Sequence, residues 1–246
     1  MLQKLESGNH PEPFKGPFSI TRILPGKVLG DKSTSSSFGP LSNIDHAVMQ
    51  KGLTIKMHEH VNDEILSYVG TGTSIHRDSA GFEVPISRGK LMMMNAGESF
   101  WHEEKVKKDH VEMLQIFVRP VETDLPAEIQ FHDKPTDNRD WYVMVGPEGS
   151  AAPLYVRQNV YIMDAHMKAG DSLEVPIYEG LAPFLYVMSG EIQVGDILVG
   201  KQEAVTDVDA PLPAFTAKTD ATVVLFVVDL EAEMSMAGTI SGMEYE

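Results

Sequence analysis

Two short stretches carry side chains of the kind that hold metal ions: Met57-His58-Glu59-His60 and Phe100-Trp101-His102-Glu103-Glu104. Both lie in runs that read as β-strands, where side chains two positions apart share a face. His58 and His60 therefore point the same way, and so do His102 and Glu104. If the two strands are neighbours in a small barrel, three imidazoles and one carboxylate converge on a site open on one side. Neutral imidazole suits iron, nickel, copper and zinc, and a carboxylate shifts the preference toward harder first-row ions. Such a donor set on an octahedral ion leaves room for a bidentate oxygen substrate, or for substrate and O2. One carboxylate on a divalent ion also leaves net positive charge, which favours an anionic enolate or phenolate. Deprotonating that substrate needs a carboxylate base. Glu64 is a candidate if the strand holding His58 and His60 runs on unbent, and Glu104 is the other.

The elements that must position these groups read as all-β. Runs such as Ile44–Val48, Leu53–Met57, Ile65–Val69, Leu91–Met94 and Val111–Val118 are punctuated by Gly, Asn, Asp and Ser. Strands at roughly 8–12-residue spacing are the signature of a sandwich or barrel. Residues 1–17 read as an arm, Ile20–Val28 as a first strand pair, and Asp31–Ser42 as a loop or lid. Met92-Met93-Met94 reads as a buried strand filling irregular core space. The stretch 121–140 reads as a linker with a short helix over Leu125–Gln130. From Trp141 the strand rhythm resumes, which divides the chain into 1–120, the linker, and 141–246. Tyr68-Val69-Gly70-Thr71-Gly72 aligns with Tyr186-Val187-Met188-Ser189-Gly190, each an apolar strand running into a hairpin turn, and this suggests two like β-domains. Carrying His58 and His60 forward by the same offset lands on Pro176 and Tyr178, and His102 falls near Asp220. Only the first half can therefore hold a metal through histidine, and the second is a structural or partner-binding copy.

The chain has 246 residues, 42% hydrophobic and 23% charged, the composition of an ordinary globular protein. A formal net charge of −16 argues against nucleic acid or an anionic membrane as a direct partner. The one tight basic cluster, Lys105, Lys107 and Lys108, reads as a solvated loop. No cysteine is present, so disulfides and thiolate sites are excluded. Residues 1–16 lack the apolar core of a secretory signal, and no run approaches the ~18 apolar residues of a membrane span. A cytoplasmic location is expected. There is no phosphate-binding Gly loop, no serine-hydrolase elbow and no cysteine nucleophile. His46, His76, His110, His132 and His166 are expected to be structural or exposed, Phe100 and Trp101 to belong to the core, and Asn62-Asp63 to form a turn rather than a site.

Gly52, then five intervening residues, then His58-Glu59-His60 and Glu64, resembles the first cupin motif. Asn95-Ala96-Gly97 followed by His102-Glu103-Glu104 resembles the second motif in its pirin-type variant. His76-Arg77-Asp78-Ser79-Ala80-Gly81 and Leu114-Gln115-Ile116-Phe117-Val118 agree with pirins and pirin-like quercetinases. The resemblance implies an all-β bicupin whose N-terminal barrel binds one divalent transition metal through His58, His60, His102 and Glu104. Iron(II) is the family's usual metal, with nickel, manganese, cobalt, copper or zinc as alternatives. It also implies a quercetin 2,3-dioxygenase-like activity on a small enolic or phenolic substrate and O2, or a regulatory role through a protein partner. A third possibility is a non-redox cupin isomerase or lyase using the metal as a Lewis acid. The chain departs from the family at Val61-Asn62-Asp63 and at Glu98-Ser99, which bears on substrate preference.

Overall fold

A computed structural model of the chain describes residues 1–11, 13, 15–32 and 35–245. Among the described residues the strands form sheets of ten, seven and four members. The ten-stranded sheet runs in the order Phe18–Ile23, Leu41–Met49, Val111–Val118, Glu64–Thr71, Lys90–Asn95, Glu83–Ser87, Thr73–Asp78, Phe100–Val106, Thr54–His60, with Glu128–Asp133 added beside Lys90–Asn95. The sheet curls on itself: Gln115, on a strand near one end of that order, hydrogen-bonds Glu104 on a strand near the other. In the second half, Ala182–Ser189, Ala221–Val228 and Val160–Met167 form the middle of the seven-stranded sheet, and the four-stranded sheet around Glu191–Val194 packs against it. The architecture is all-β with two cupin-type domains, as expected.

Strand alternation sorts the side chains into three compartments. Leu114, Ile116 and Val118 face the second half, where they share a core with Leu66, Tyr68, Phe184, Tyr186, Val224 and Phe226. The opposite face of the same strands lines the first barrel, with Val111, Met113 and Phe117 beside Ile65, Val69, Met92 and Met94. In the second half the inward face is apolar, with Ala165, Leu185, Val187, Val223 and Leu225 beside Met163 and Phe215. Burying a side chain of this size contributes about 1.5–3 kcal/mol, so the shared layer and the filled second barrel carry much of the stability.

Several local expectations give way to tertiary pairing. The expected first strand pair is one strand, Phe18–Ile23, followed by 3-10 turns over Pro25–Lys32. The segment expected to be a helical linker carries the strand Glu128–Asp133, drawn in because Lys90–Asn95 offers backbone groups that need partners. The N-terminal arm is tied down as well, since Gln3–Leu5 pairs with Ala204–Thr206 in the second sheet. Glu12 and Phe14 of that arm, and residues 33 and 34 of the Asp31–Ser42 stretch, lie outside the described residues. The remainder of that stretch is packed in part, with Ser36, Ser37 and Phe38 buried. No described helix is long and apolar enough to cross a membrane.

Polar contacts also span the two halves. Lys134 and Tyr68 both reach Asp164 Oδ2 at 2.8 Å, in a pocket closed to solvent. His46 Nε2 donates to Glu112 Oε1 at 2.7 Å while its Nδ1 meets the Tyr186 hydroxyl, and Lys201 pairs with the same glutamate. The His46 and Lys201 hydrogen bonds hold the Glu112 carboxyl down to about 2, against an ordinary value of 4.5. Stability from this group is therefore fully present above about pH 4.5 and is lost as the pH falls toward 2. Glu112→Gln is expected to flatten the loss of unfolding free energy across that window, as read by urea titrations at a series of pH values.

Candidate metal centre

The strands Thr54–His60 and Phe100–Val106 run antiparallel, with His58 opposite His102 and His60 opposite Phe100. The register shifts between Ile55 and His58, so a bulge re-aims the residues that follow it. His58, His60 and His102 all point into the barrel, with ring centroids 4.4 Å (58–102), 5.0 Å (58–60) and 5.2 Å (60–102) apart. One ring nitrogen from each lies within 4.8 Å of the others. His60 and His102 are buried and His58 is half-exposed, so the cluster meets solvent on the His58 side. Phe117, Phe100, Met94 and Ile65 form an apolar wall around the His60 end, and Ile240 packs against it.

Hydrogen bonds settle which nitrogens are available. His58 Nδ1 donates to the Lys56 carbonyl at 2.9 Å, and His60 Nδ1 donates to Asp63 Oδ2 at 2.8 Å. Each ring thus leaves Nε2 with its lone pair. Both nitrogens of His102 are buried without a partner. Burial, reinforced by the neighbouring imidazoles, pushes His102 down to about 2, and burial also lowers His58 from its ordinary value. Neutral imidazoles with unspent lone pairs aimed at a common point are the donor set of a divalent transition metal. The residues present fit such an ion, and among the described residues this is the one cluster of its kind.

Glu104 lies on the same strand as His102 and is buried, but its oxygens fall outside the 4.8 Å cluster. Gln115 Nε2 donates to Glu104 Oε2 at 2.9 Å, and burial pushes the carboxyl up to about 7. A carboxyl so weakly compensated is a natural counter-charge for a cation held by the three rings. Glu64 is elsewhere. Its carboxylate accepts from Asn95 Nδ2 and from the Arg157 backbone N–H, at the boundary with the second half, and burial raises it to about 7. The reason is local: Asn62 adopts a left-handed φ of 52°, so the chain turns after His60 and alternation does not carry through. Glu64 then falls on the face it shares with Leu66 and Tyr68.

Three neighbours of the cluster lie outside the histidine motifs. Asp63 belongs to the expected turn, yet it is fully buried and orients His60. Its only sequence signal is an acidic residue three positions past a strand-ending histidine. Gln115 breaks the apolar sequence Val111, Met113, Phe117 on an inward strand face, which is a legible cue. His76 is buried with Nε2 2.7 Å from Asp78 Oδ2, and its ring centroid lies 5.4 Å from that of His102. Its parity matches Ser74 and Asp78, inside the barrel. Trp101, expected in the core, is 42% exposed on the outer face.

Residues 6–118 match the Pirin family, and residues 143–228 match the family described as quercetinase C-terminal cupin domain. A quercetin 2,3-dioxygenase of Escherichia coli is 22% identical over 77% of this chain and 82% of its own. Human pirin is 26% identical over 56% of this chain and 51% of its own. Among solved structures, the bacterial pirin YhhW of Escherichia coli in complex with nickel(II) superposes with a TM-score of 0.80 at 18% identity, over 93% of this chain and 99% of that one. At that identity the likeness speaks for the fold.

Cobalt(II) titrated into metal-free protein is expected to bind at one equivalent, followed by its visible absorption. His102→Ala is expected to abolish that binding, and His110→Ala, at an exposed position outside the barrel, to retain it.

Proposed function

This chain belongs to the pirin family, and on that footing we propose that it is a metal-dependent dioxygenase acting on a small enolic or phenolic compound of the flavonol kind. His58, His60, His102 and Glu104 are the residues assigned to hold one divalent transition metal. Iron(II) and nickel(II) are the foremost choices, nickel being the ion in the YhhW complex. The observation that carries this reading is the convergence of three imidazoles inside the first barrel, with both His102 nitrogens unpartnered.

When bound, the metal supplies a Lewis-acidic centre for the substrate oxygen and for O2. The chain's own residues do the rest. The half-exposed side of the cluster, at His58, is where a planar substrate enters. Phe117, Phe100 and Met94 keep water from the buried side. Glu104, one oxygen of which Gln115 holds, takes the proton of the substrate hydroxyl. Glu64, tied to Asn95 and Arg157, has no part in the step. In this reading residues 141–246 form a structural barrel with an apolar interior, and among the described residues no histidine cluster lies there.

The test is oxygen consumption by metal-reconstituted protein with a panel of flavonols. Wild type is expected to consume O2 in proportion to bound metal and to place both atoms of labelled O2 in the product. His102→Ala is expected to lose the activity by at least about 100-fold, the scale of removing a group that acts directly on the reacting centre. A fully loaded wild type that consumes no O2 with any flavonol, or a variant as active as wild type, would end this assignment.

A further inference from the structure

Asp63 is fully buried, yet apart from His60 the donors on its carboxylate come from a segment 178 residues further along the chain. Oδ2 accepts from His60 Nδ1 at 2.8 Å. Oδ1 accepts from the Ser241 backbone N–H at 2.9 Å and the Ser241 hydroxyl at 2.7 Å, and the Ile240 N–H lies 3.2 Å from both oxygens. A buried carboxylate without such donors would be costly, so these contacts decide where Asp63 points.

The segment has one seat. Thr239 N–H donates to the Val61 carbonyl at 2.9 Å, and the Thr239 hydroxyl accepts from Val61 N–H at 2.8 Å. The Ser241 carbonyl accepts from Arg119 Nε at 2.7 Å and from the Ser42 hydroxyl at 2.8 Å. Gly238 closes the turn against the site: a Cβ there would lie 2.6 Å from Asp63 Oδ1 and 2.0 Å from Ser241 Oγ. A larger residue there displaces the Ser241 hydroxyl or the Asp63 carboxylate from the contact between them.

We propose that Thr239–Ser241 is a positioning element of the histidine cluster: by holding Asp63 it fixes the ring plane and tautomer of His60, and so sets how tightly the cluster takes a divalent metal. The proposal rests on reading that cluster as a metal site. With Oδ1 engaged by the tail, Oδ2 faces the ring, Nδ1 carries the hydrogen, and the Nε2 lone pair is aimed into the barrel. With the tail lifted, water satisfies Asp63 and the ring is released to turn or to exchange tautomers. Metal affinity in the first barrel thereby depends on the docking of chain that follows the second.

The experiment compares full-length wild type, Gly238→Ala, Ser241→Ala and Tyr245→Phe in two readouts. One is cobalt(II) affinity, and the other is the His60 nitrogen pattern in the metal-free protein by long-range 15N NMR. Gly238→Ala is expected to weaken cobalt binding on the order of 10-fold, the scale of losing an outer-sphere partner of a ligating histidine. The His60 pattern should change with it from a single Nδ1–H form to a mixture. Ser241→Ala, which removes only the hydroxyl donor, shifts both in the same direction by less, and it decides the matter if Gly238→Ala does not fold. Tyr245→Phe removes the tail's hydrogen bond with Arg22 but none of the hydrogen bonds to Asp63, so both readouts stay at wild-type values. Wild-type affinity and an unchanged His60 pattern in Gly238→Ala and Ser241→Ala would overturn the proposal, as would an equal loss in Tyr245→Phe. If wild type itself takes up no cobalt, the metal assignment fails, while the nitrogen pattern still tests the positioning of His60.

Discussion

Three imidazole rings packed against one another, with ring nitrogens converging, form an arrangement that a barrel interior does not tolerate for its own sake. Polar atoms placed there without partners cost free energy, and His102 carries two of them. The rest of the first barrel is arranged around that cost. The bulge before His58 aims the ring inward, Asp63 and the Lys56 carbonyl take the hydrogens on the far nitrogens, and phenylalanine and methionine side chains close the buried side. Glu104 and Gln115 add a carboxyl that is itself under-compensated. Each of these features is hard to explain as packing, and together they are what a cation would complete.

The second barrel shows the alternative solution to the same architecture. Its strands have the same alternation and present the same kind of outer face to the shared core, but its interior is filled by an apolar cluster. The layer between the halves is mostly apolar, interrupted by the Lys134–Asp164–Tyr68 contacts and the His46–Glu112–Tyr186 chain. Buried polar links of this kind add little net stability, but they penalise every misaligned docking of the two halves. That specificity matters because the site, built on residues 58–117, also borrows support from residues 240 and 241.

Strand periodicity is a local property, and what it governs was legible beforehand. The all-β class, the doubled rhythm and the shared face of His58 and His60 all follow from side chains alternating along extended backbone. What it does not govern was hidden. Glu64 has the parity of the histidines, but one left-handed residue at Asn62 resets the count. The strand Glu128–Asp133 sits in a Pro- and Glu-rich stretch, and only the open edge of Lys90–Asn95 makes it a strand. Asp63 looks like turn chemistry because its burial depends on residues 240 and 241, which no local window contains. Gln115 was the one neighbour of the cluster that parity could have exposed, as a polar residue on an inward face.

The crossing of the chain ends sets an order of assembly during synthesis. A nascent chain folds from its N-terminus as it leaves the ribosome, and the strands bearing the three histidines are made before Glu128–Asp133 and before residues 240 and 241. At that stage Lys90–Asn95 lacks Glu128–Asp133, Gln3–Leu5 lacks its partner strand, and Asp63 lacks Ile240 and Ser241. The strands that carry the histidine cluster are thus translated long before the segment that completes the support of His60.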